Sequence, residues 1–159
     1  MNQLSAYDKF DVGVEEDAEA DAMPPMTYKI MRSGQRPLVF EGMELCMAMS
    51  YVPASPYWFE INIYRSSSQK FVAAVRTFFQ AEEERDRARA WECDSFDGVM
   101  DVLERYDAAS DLRVDAFADA HDLSALELAG LGFTLMARAK AARDQYHGLL
   151  GEILHELDA

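Results

Sequence analysis

The chain has 159 residues and carries 29 Asp and Glu against 15 Lys and Arg, a formal net charge of −14. Such a field repels nucleic acids and anionic membranes and attracts basic surfaces, which argues against direct binding of DNA, RNA or a membrane. Half of the residues are hydrophobic and Gly and Pro are sparse, which excludes collagen-like and wholly disordered chains. The length predicts one globular domain.

Cysteine usage and the N-terminal residues indicate the cytoplasm. Cys46 and Cys93 are far apart and neither belongs to a CxxC motif, which is typical of reduced thiols rather than of a zinc site or a disulfide scaffold. The sequence shows no basic stretch followed by an apolar run, and no apolar run near the ~20 residues of a bilayer span. We therefore expect a soluble, cytoplasmic protein.

Composition divides the chain into three segments. Residues 1–26 form an acidic tail that ends at Pro24-Pro25 and in which Lys9 is the one basic residue. Residues 27–109 predict an antiparallel sheet with one helix. Residues 110–159 predict an acidic connector and a long C-terminal helix, which completes one globular domain.

Apolar and polar residues alternate through the first half of the chain, as in half-buried strands. Six strands are predicted, with a hairpin tip at Glu41-Gly42. They span 27–32, 36–41, 44–52, 57–66, 70–80 and 89–93. The clearest face carries Phe59, Ile61 and Ile63, which we expect to be buried.

After Asp94-Ser95, either of which can cap a helix, the apolar spacing becomes helical. Ser124-x-x-Glu127 has the form of a capping box and starts a second helix of roughly 33 residues, about 50 Å long. The predicted fold class is therefore α+β: an antiparallel sheet of about five to six strands, packed by one helix and followed by a long C-terminal helix.

Carboxylates recur at helical spacing after the sheet, and such a row can imitate the phosphates of a nucleic acid. A solvated face is the other interpretation, and because like charges four residues apart disfavour a helix, a loop is a further alternative for this stretch. The candidate partner-binding acids are Asp97, Asp101, Glu104, Asp107, Asp111, Asp115 and Asp119. Trp58 is a further candidate anchor on the second face of the sheet, since Trp is favoured at interface centres.

The second helix is longer than the sheet that it can cover. Leu149, Ile153 and Leu157 continue its apolar stripe, so the same helix from a second copy is expected to cover them. The alternative is a break at Gly148 or Gly151 that folds the end back.

Two pairs, Asp144 with His147 and Glu152 with His155, have the spacing of carboxylate and imidazole metal ligands, but neither has further ligands to complete a site. No nucleophile motif or phosphate loop accompanies the available Ser, Cys and His. No cofactor and no catalytic residue are predicted, although a small metal-binding protein or enzyme stays open.

The stretches Arg36-Pro-Leu-Val-Phe-Glu-Gly42 and Trp58-Phe-Glu-Ile-Asn-Ile-Tyr-Arg65, with Phe71-Val72 and Ser95-Phe-Asp97, resemble small bacterial proteins of plasmids and other mobile elements. The resemblance spans about residues 27–107 and implies no activity. It implies a context in which proteins often antagonise host defences or serve transfer.

Together these observations predict a non-enzymatic acidic interaction protein. The leading hypothesis is a DNA-mimic-like inhibitor that occludes a basic, nucleic-acid-handling partner and antagonises host defence. The alternative is a structural or scaffolding protein that assembles as a homodimer through its C-terminal helix.

Overall fold

The computed structural model describes residues 24–112 and 120–158, in which five strands precede two helices. The strands are β1 (Met26–Arg32), β2 (Gln35–Met49), β3 (Tyr57–Ser66), β4 (Phe71–Phe79) and β5 (Arg87–Cys93). The helices are α1 (Phe96–Arg105) and α2 (Ala125–Asp158), with 3-10 turns at Ala108–Asp111 and Ala120–Asp122 between them. The predicted α+β class is confirmed.

Each strand pairs antiparallel with the next, in the order β1-β2-β3-β4-β5. The alternation of β3 is confirmed, because Phe59, Ile61 and Ile63 are completely buried on one face. α1 and the second half of α2 cover that face with side chains such as Leu103 and Tyr146. The main core therefore lies between the sheet and the two helices.

β2 is one strand of 15 residues, and the predicted hairpin tip at Glu41-Gly42 is wrong. The first half of β2 pairs with β1 and the second half with β3; the two pairings meet at Gly42, opposite Met26 and Ser66. A Cβ at Gly42 would lie 2.2 Å from the carbonyl oxygen of Arg65. Glycine stands there because two backbones approach closely, not because the chain turns.

Because β2 changes partner at Gly42, β1 and the first half of β2 fold across the second face of the sheet. Tyr28 packs there against Tyr64, with ring centroids 4.8 Å apart. Burial raises the pKa of the Tyr64 hydroxyl to about 12. The backbone N–H of Ser33, between β1 and β2, donates to the carbonyl of Ala88 in β5 at 2.7 Å, so the curled sheet brings its first and last strands together.

Both predicted helix starts are confirmed. Ser95 is the N-cap of α1 and its hydroxyl accepts the backbone N–H of Gly98 at 3.1 Å. Ser124 and Glu127 form the capping box at the start of α2: Ser124 Oγ accepts the N–H of Glu127 at 3.2 Å, and the Glu127 carboxylate accepts the N–H of Ser124 at 2.7 Å. Local sequence therefore sets where each helix begins.

α2 runs for 34 residues, about 51 Å, and the predicted glycine break does not occur. Its second half is held by Tyr146, whose buried hydroxyl donates to the carbonyl oxygen of Leu103 at 2.7 Å. The Tyr146 ring also contacts Phe59 and Tyr106. Within the described ranges, no helix is both long and apolar enough to cross a lipid bilayer.

Candidate interaction surfaces

The predicted acidic row begins on α1. Asp97, Asp101 and Glu104 are exposed there, at a spacing that places them on one side of the helix. α1 ends at Arg105, so the row cannot continue along the same helix. These three carboxylates form the α1 acidic face.

The next two acids of the row do not line a common surface, because the chain leaves the helix. Asp107 accepts two hydrogen bonds of 2.8 Å from the guanidinium of Arg143, which holds the pKa of its carboxyl below the usual range. Asp111 is buried. The predicted helical repeat is therefore wrong at Asp107 and Asp111, while Asp115 and Asp119 lie outside the described residues.

Asp111 joins the sheet to the segment that follows α1. Its carboxylate accepts hydrogen bonds from Arg89 at 2.5 and 3.1 Å and from the Tyr106 hydroxyl at 2.7 Å. Burial acts to raise the pKa of Asp111, but the bonds from Arg89 and Tyr106 hold it below its ordinary value. Burial, and then the bond to Asp111, raise the pKa of Tyr106. Asp111 is thus a structural ion-pair residue.

Trp58 belongs to an apolar patch on the part of the second face that β1 leaves open. Its ring stacks on Phe78 at 5.5 Å, and Tyr51 meets it edge-on at 4.9 Å. Met47 and Met49 are exposed and lie on the neighbouring strand, four and two residues before Tyr51. The structure therefore places Trp58 among other apolar groups, as an interface anchor requires.

The predicted self-association residues of α2 divide between core and surface. Leu149 and Ile153 are buried against the chain's own sheet, and Leu157 is 40% exposed. The prediction that Leu149 and Ile153 need a second copy is wrong. The reason is the position of the helix: its second half lies on the sheet, and the excess length extends at the opposite end.

The first half of α2, residues 125–137, forms an overhang. Leu126, Phe133 and Met136 are 84%, 74% and 70% exposed. Arg138 marks the point at which the helix meets the body, because its guanidinium lies 3.6 Å from Glu84. The sequence contains no charged residue from 128 to 137, and this signal could have identified the overhang in advance.

The two carboxylate–histidine pairs do not form a metal centre in the part of the chain that the structure describes. No group of three or more His, Cys, Asp or Glu there could hold a metal ion. Asp144 instead pairs with Lys140 at 2.5 Å. Burial raises the pKa of the Cys46 and Cys93 thiols, which lowers the fraction of reactive thiolate.

Comparison of the chain with protein-family models, with curated proteins and with solved structures gave no match. Function is therefore inferred from the surfaces themselves: the α1 acidic face, the Trp58 patch and the overhang of α2.

Proposed function

We propose that this protein is a self-assembling, acidic interaction protein of the cytoplasm whose copies pair through the overhang of α2. The observation that carries the proposal is the exposure of Leu126, Phe133 and Met136 on the overhang, whose residues 128–137 are all uncharged. A helix that is apolar on all sides is normally covered, and a contiguous exposed apolar surface marks an interaction site. The charges that flank this uncharged run, Glu127 and Lys140, favour a second copy of the chain as the partner.

An antiparallel two-fold pairing centred on Phe133 makes the overhang complementary to itself. Leu126 and Lys140 are equally distant from Phe133 along the chain, so Leu126 of one copy lies opposite Lys140 of the other, and Glu127 follows one residue later. A parallel pairing would place like charges together, which is unfavourable. Gly130 has no neighbouring atoms within 4 Å of an added Cβ, which leaves room for a helix to approach closely.

The size of the overhang sets the expected strength of the dimer. Residues 125–137 span about 20 Å of helix roughly 10 Å wide. That strip is smaller than the roughly 800 Å² that each partner buries in a standard stable interface. We therefore expect a reversible dimer that dissociates on dilution, not an obligate one.

Sedimentation velocity of the full chain over a wide range of concentration tests the proposal. Phe133→Glu places two carboxylates at the two-fold centre and should give a monomer at every concentration. Val39→Glu is the matched control, because Val39 is equally exposed apolar surface on the sheet and should leave the dimer intact. A full chain that stays monomeric, or a dimer that Phe133→Glu leaves unchanged, rules out pairing through the overhang.

A charge exchange then separates the antiparallel from the parallel arrangement. Lys140→Glu alone should weaken the dimer, because it places a carboxylate within one residue of Glu127 of the other copy along the pairing. Adding Glu127→Lys to the same chain should restore it. Failure of that rescue, with helix content unchanged by circular dichroism, would contradict the antiparallel register.

A second function, binding and occluding a basic nucleic-acid-handling protein, is favoured by the α1 acidic face. Asp97, Asp101 and Glu104 are exposed together, with Arg105 3.6 Å from Asp101, while Arg143 and Arg89 hold Asp107 and Asp111. Antagonism of host defence would be one use of such binding. The contribution of the α1 acidic face to affinity should fall as the salt concentration rises, because salt screens exposed charges. The Debye length is ~8 Å at physiological ionic strength.

Titration with a lysine-rich peptide at two salt concentrations tests this second function. Reversing Asp97, Asp101 and Glu104 to Lys should abolish binding. Reversing three exposed acids elsewhere, Glu82, Glu83 and Glu156, makes the same change in net charge and should reduce binding much less. Equal loss in the two triple variants would show attraction by net charge alone, without a site.

A further inference from the structure

The last strand of the sheet has one unpaired edge. β5 pairs with β4 on one side and has no strand on the other. Both backbone groups of Ala88 point to that outer side, where its carbonyl accepts the N–H of Ser33 at 2.7 Å and its N–H donates to Ser33 Oγ at 2.9 Å. Backbone groups alternate along a strand, so those of Ala90 and Glu92 also point outward. Within the described residues, no backbone hydrogen bond reaches either of them from that side.

A cleft of about 460 Å³ lies along this edge. This volume is within the range of roughly 300–1,000 Å³ that is usual for binding pockets. Arg32, Ser33 and Gln35 line one wall, next to the turn between β1 and β2. Tyr106 and Ser110 line the other wall, beyond the end of α1. The free edge of β5 therefore lies between two layers of the protein, where an added strand would be covered on both sides.

After the ion pairs of the cleft are taken into account, the charge that is left without a partner is positive. Arg89 pairs with Asp111, which lies outside the cleft lining, and Glu92, the acid in the lining, pairs with Lys70 at 2.7 Å. The Nε of Arg32 donates a hydrogen bond to the carbonyl oxygen of Arg36. Arg32 has no carboxylate partner among the described ion pairs. Its charge is available to a bound anion, on a protein whose net charge is −14.

We propose that β5 binds an extended acidic segment of a partner protein, which adds to the sheet as a further strand. Main-chain hydrogen bonds to Ala90 and Glu92 supply sequence-independent affinity, as in other complexes formed by strand addition. Arg32 selects acidic side chains on the added strand. Repulsion by the net charge of the protein is screened beyond ~8 Å at physiological salt, whereas a contact with Arg32 is not.

This proposal is independent of the overhang and uses a different surface. The probe is a synthetic seven-residue peptide that alternates aspartate with valine, titrated into the full chain and followed by amide NMR. Binding should shift the amide resonances of Ala90 and Glu92 and protect both from hydrogen exchange. A peptide that alternates lysine with valine should leave the Ala90 and Glu92 amides unprotected, because it meets Arg32 at this edge, even where it binds the acidic surface elsewhere.

Two variants of Arg32 and one control test whether this residue causes the preference for the acidic peptide. Arg32→Glu should weaken binding of the acidic peptide roughly tenfold or more, because it places like charges together. Arg32→Gln keeps most of the side-chain length and should cause a smaller loss, which guards against a general effect on the turn. Arg65→Glu makes the same change in net charge on β3, at an exposed residue that does not line the cleft, and should leave the affinity within roughly twofold.

Three results would overturn the proposal. The first is protection of the Ala90 and Glu92 amides in the free protein, which would mean that the edge is already occupied. The second is peptide binding that leaves both amides unprotected. The third is equal protection of these two amides by the acidic and the basic peptide.

Discussion

The hydroxyl of Tyr106 donates a hydrogen bond of 2.7 Å to the carboxylate of Asp111, five residues further along the chain. Tyr106 is the C-cap of α1, and Asp111 ends the 3-10 turn that follows. Arg89 of β5 completes the cluster from the sheet. A carboxylate that the spacing of acids predicts on the surface therefore connects a helix end, a turn and a strand.

Asp111→Asn should lower the free energy of unfolding by about 2 kcal/mol, because it removes the charge that pairs with Arg89 and weakens the bond to Tyr106. Asp107→Asn is the matched control: its pair with Arg143 is half exposed, so the loss should stay below about 1 kcal/mol. Urea unfolding of both variants measures the difference. Equal losses would mean that burial of the Asp111 pair contributes nothing beyond a surface ion pair.

The pKa shifts predict stability that declines at both ends of the pH range. The pKa values of Asp107 and Asp111 are lowered in the folded state, so the unfolded chain binds more protons in acid. The free energy of unfolding should fall as the pH drops through and below the ordinary carboxyl value of 3.8. Burial raises the pKa of Tyr106 and Tyr146, so stability should also fall as the pH rises above 10.

Thermal unfolding of the unaltered protein and of Asp111→Asn across pH measures the loss of stability in acid. The variant should lose less stability between neutral and acid pH than the unaltered protein, since one of the linked carboxylates is gone. An equal loss of stability between neutral and acid pH in both proteins would contradict the role given to Asp111.

Gly42→Ala should destabilise the protein by more than about 2 kcal/mol, because the added Cβ would lie 2.2 Å from the backbone carbonyl oxygen of Arg65. Gly148→Ala is the opposite case, an exposed helical glycine with open space around it. It should stabilise the protein by roughly 0.5–1 kcal/mol. Chemical unfolding measures both changes in stability. An unchanged free energy of unfolding in Gly42→Ala would refute the close approach of the two backbones at this position.

Tyr146→Phe should lower the free energy of unfolding by about 1 kcal/mol, because the buried carbonyl of Leu103 loses its donor at 2.7 Å. The ring contacts with Phe59 and Tyr106 would remain. Tyr51→Phe is the control, since Tyr51 is half exposed, and it should change stability little. An unchanged unfolding midpoint in Tyr146→Phe would show that water replaces the lost donor.

Local signals predicted most of the elements. The alternation at Phe59, Ile61 and Ile63 predicted their buried face, and Ser95 and the Ser124–Glu127 box predicted where both helices begin. Periodicity and capping act between residues close in sequence, so they can be read without knowing the fold. Gly42 is the exception, because close backbone approach and a turn both require glycine and give the same local signal.

The candidate sites depended on contacts between distant residues, which spacing cannot reveal. Asp111 is buried because Arg89, 22 residues earlier, lies within hydrogen-bonding distance. Leu149 is buried and Phe133 exposed because only one half of α2 rests on the sheet, although the same apolar pattern continues through both halves. The sequence alone determined an acidic α+β chain with a helix longer than its sheet. The tertiary structure decided which end of that helix is left uncovered, because burial depends on which half packs on the sheet, and the uncharged run at 128–137 marks one half without showing what covers it.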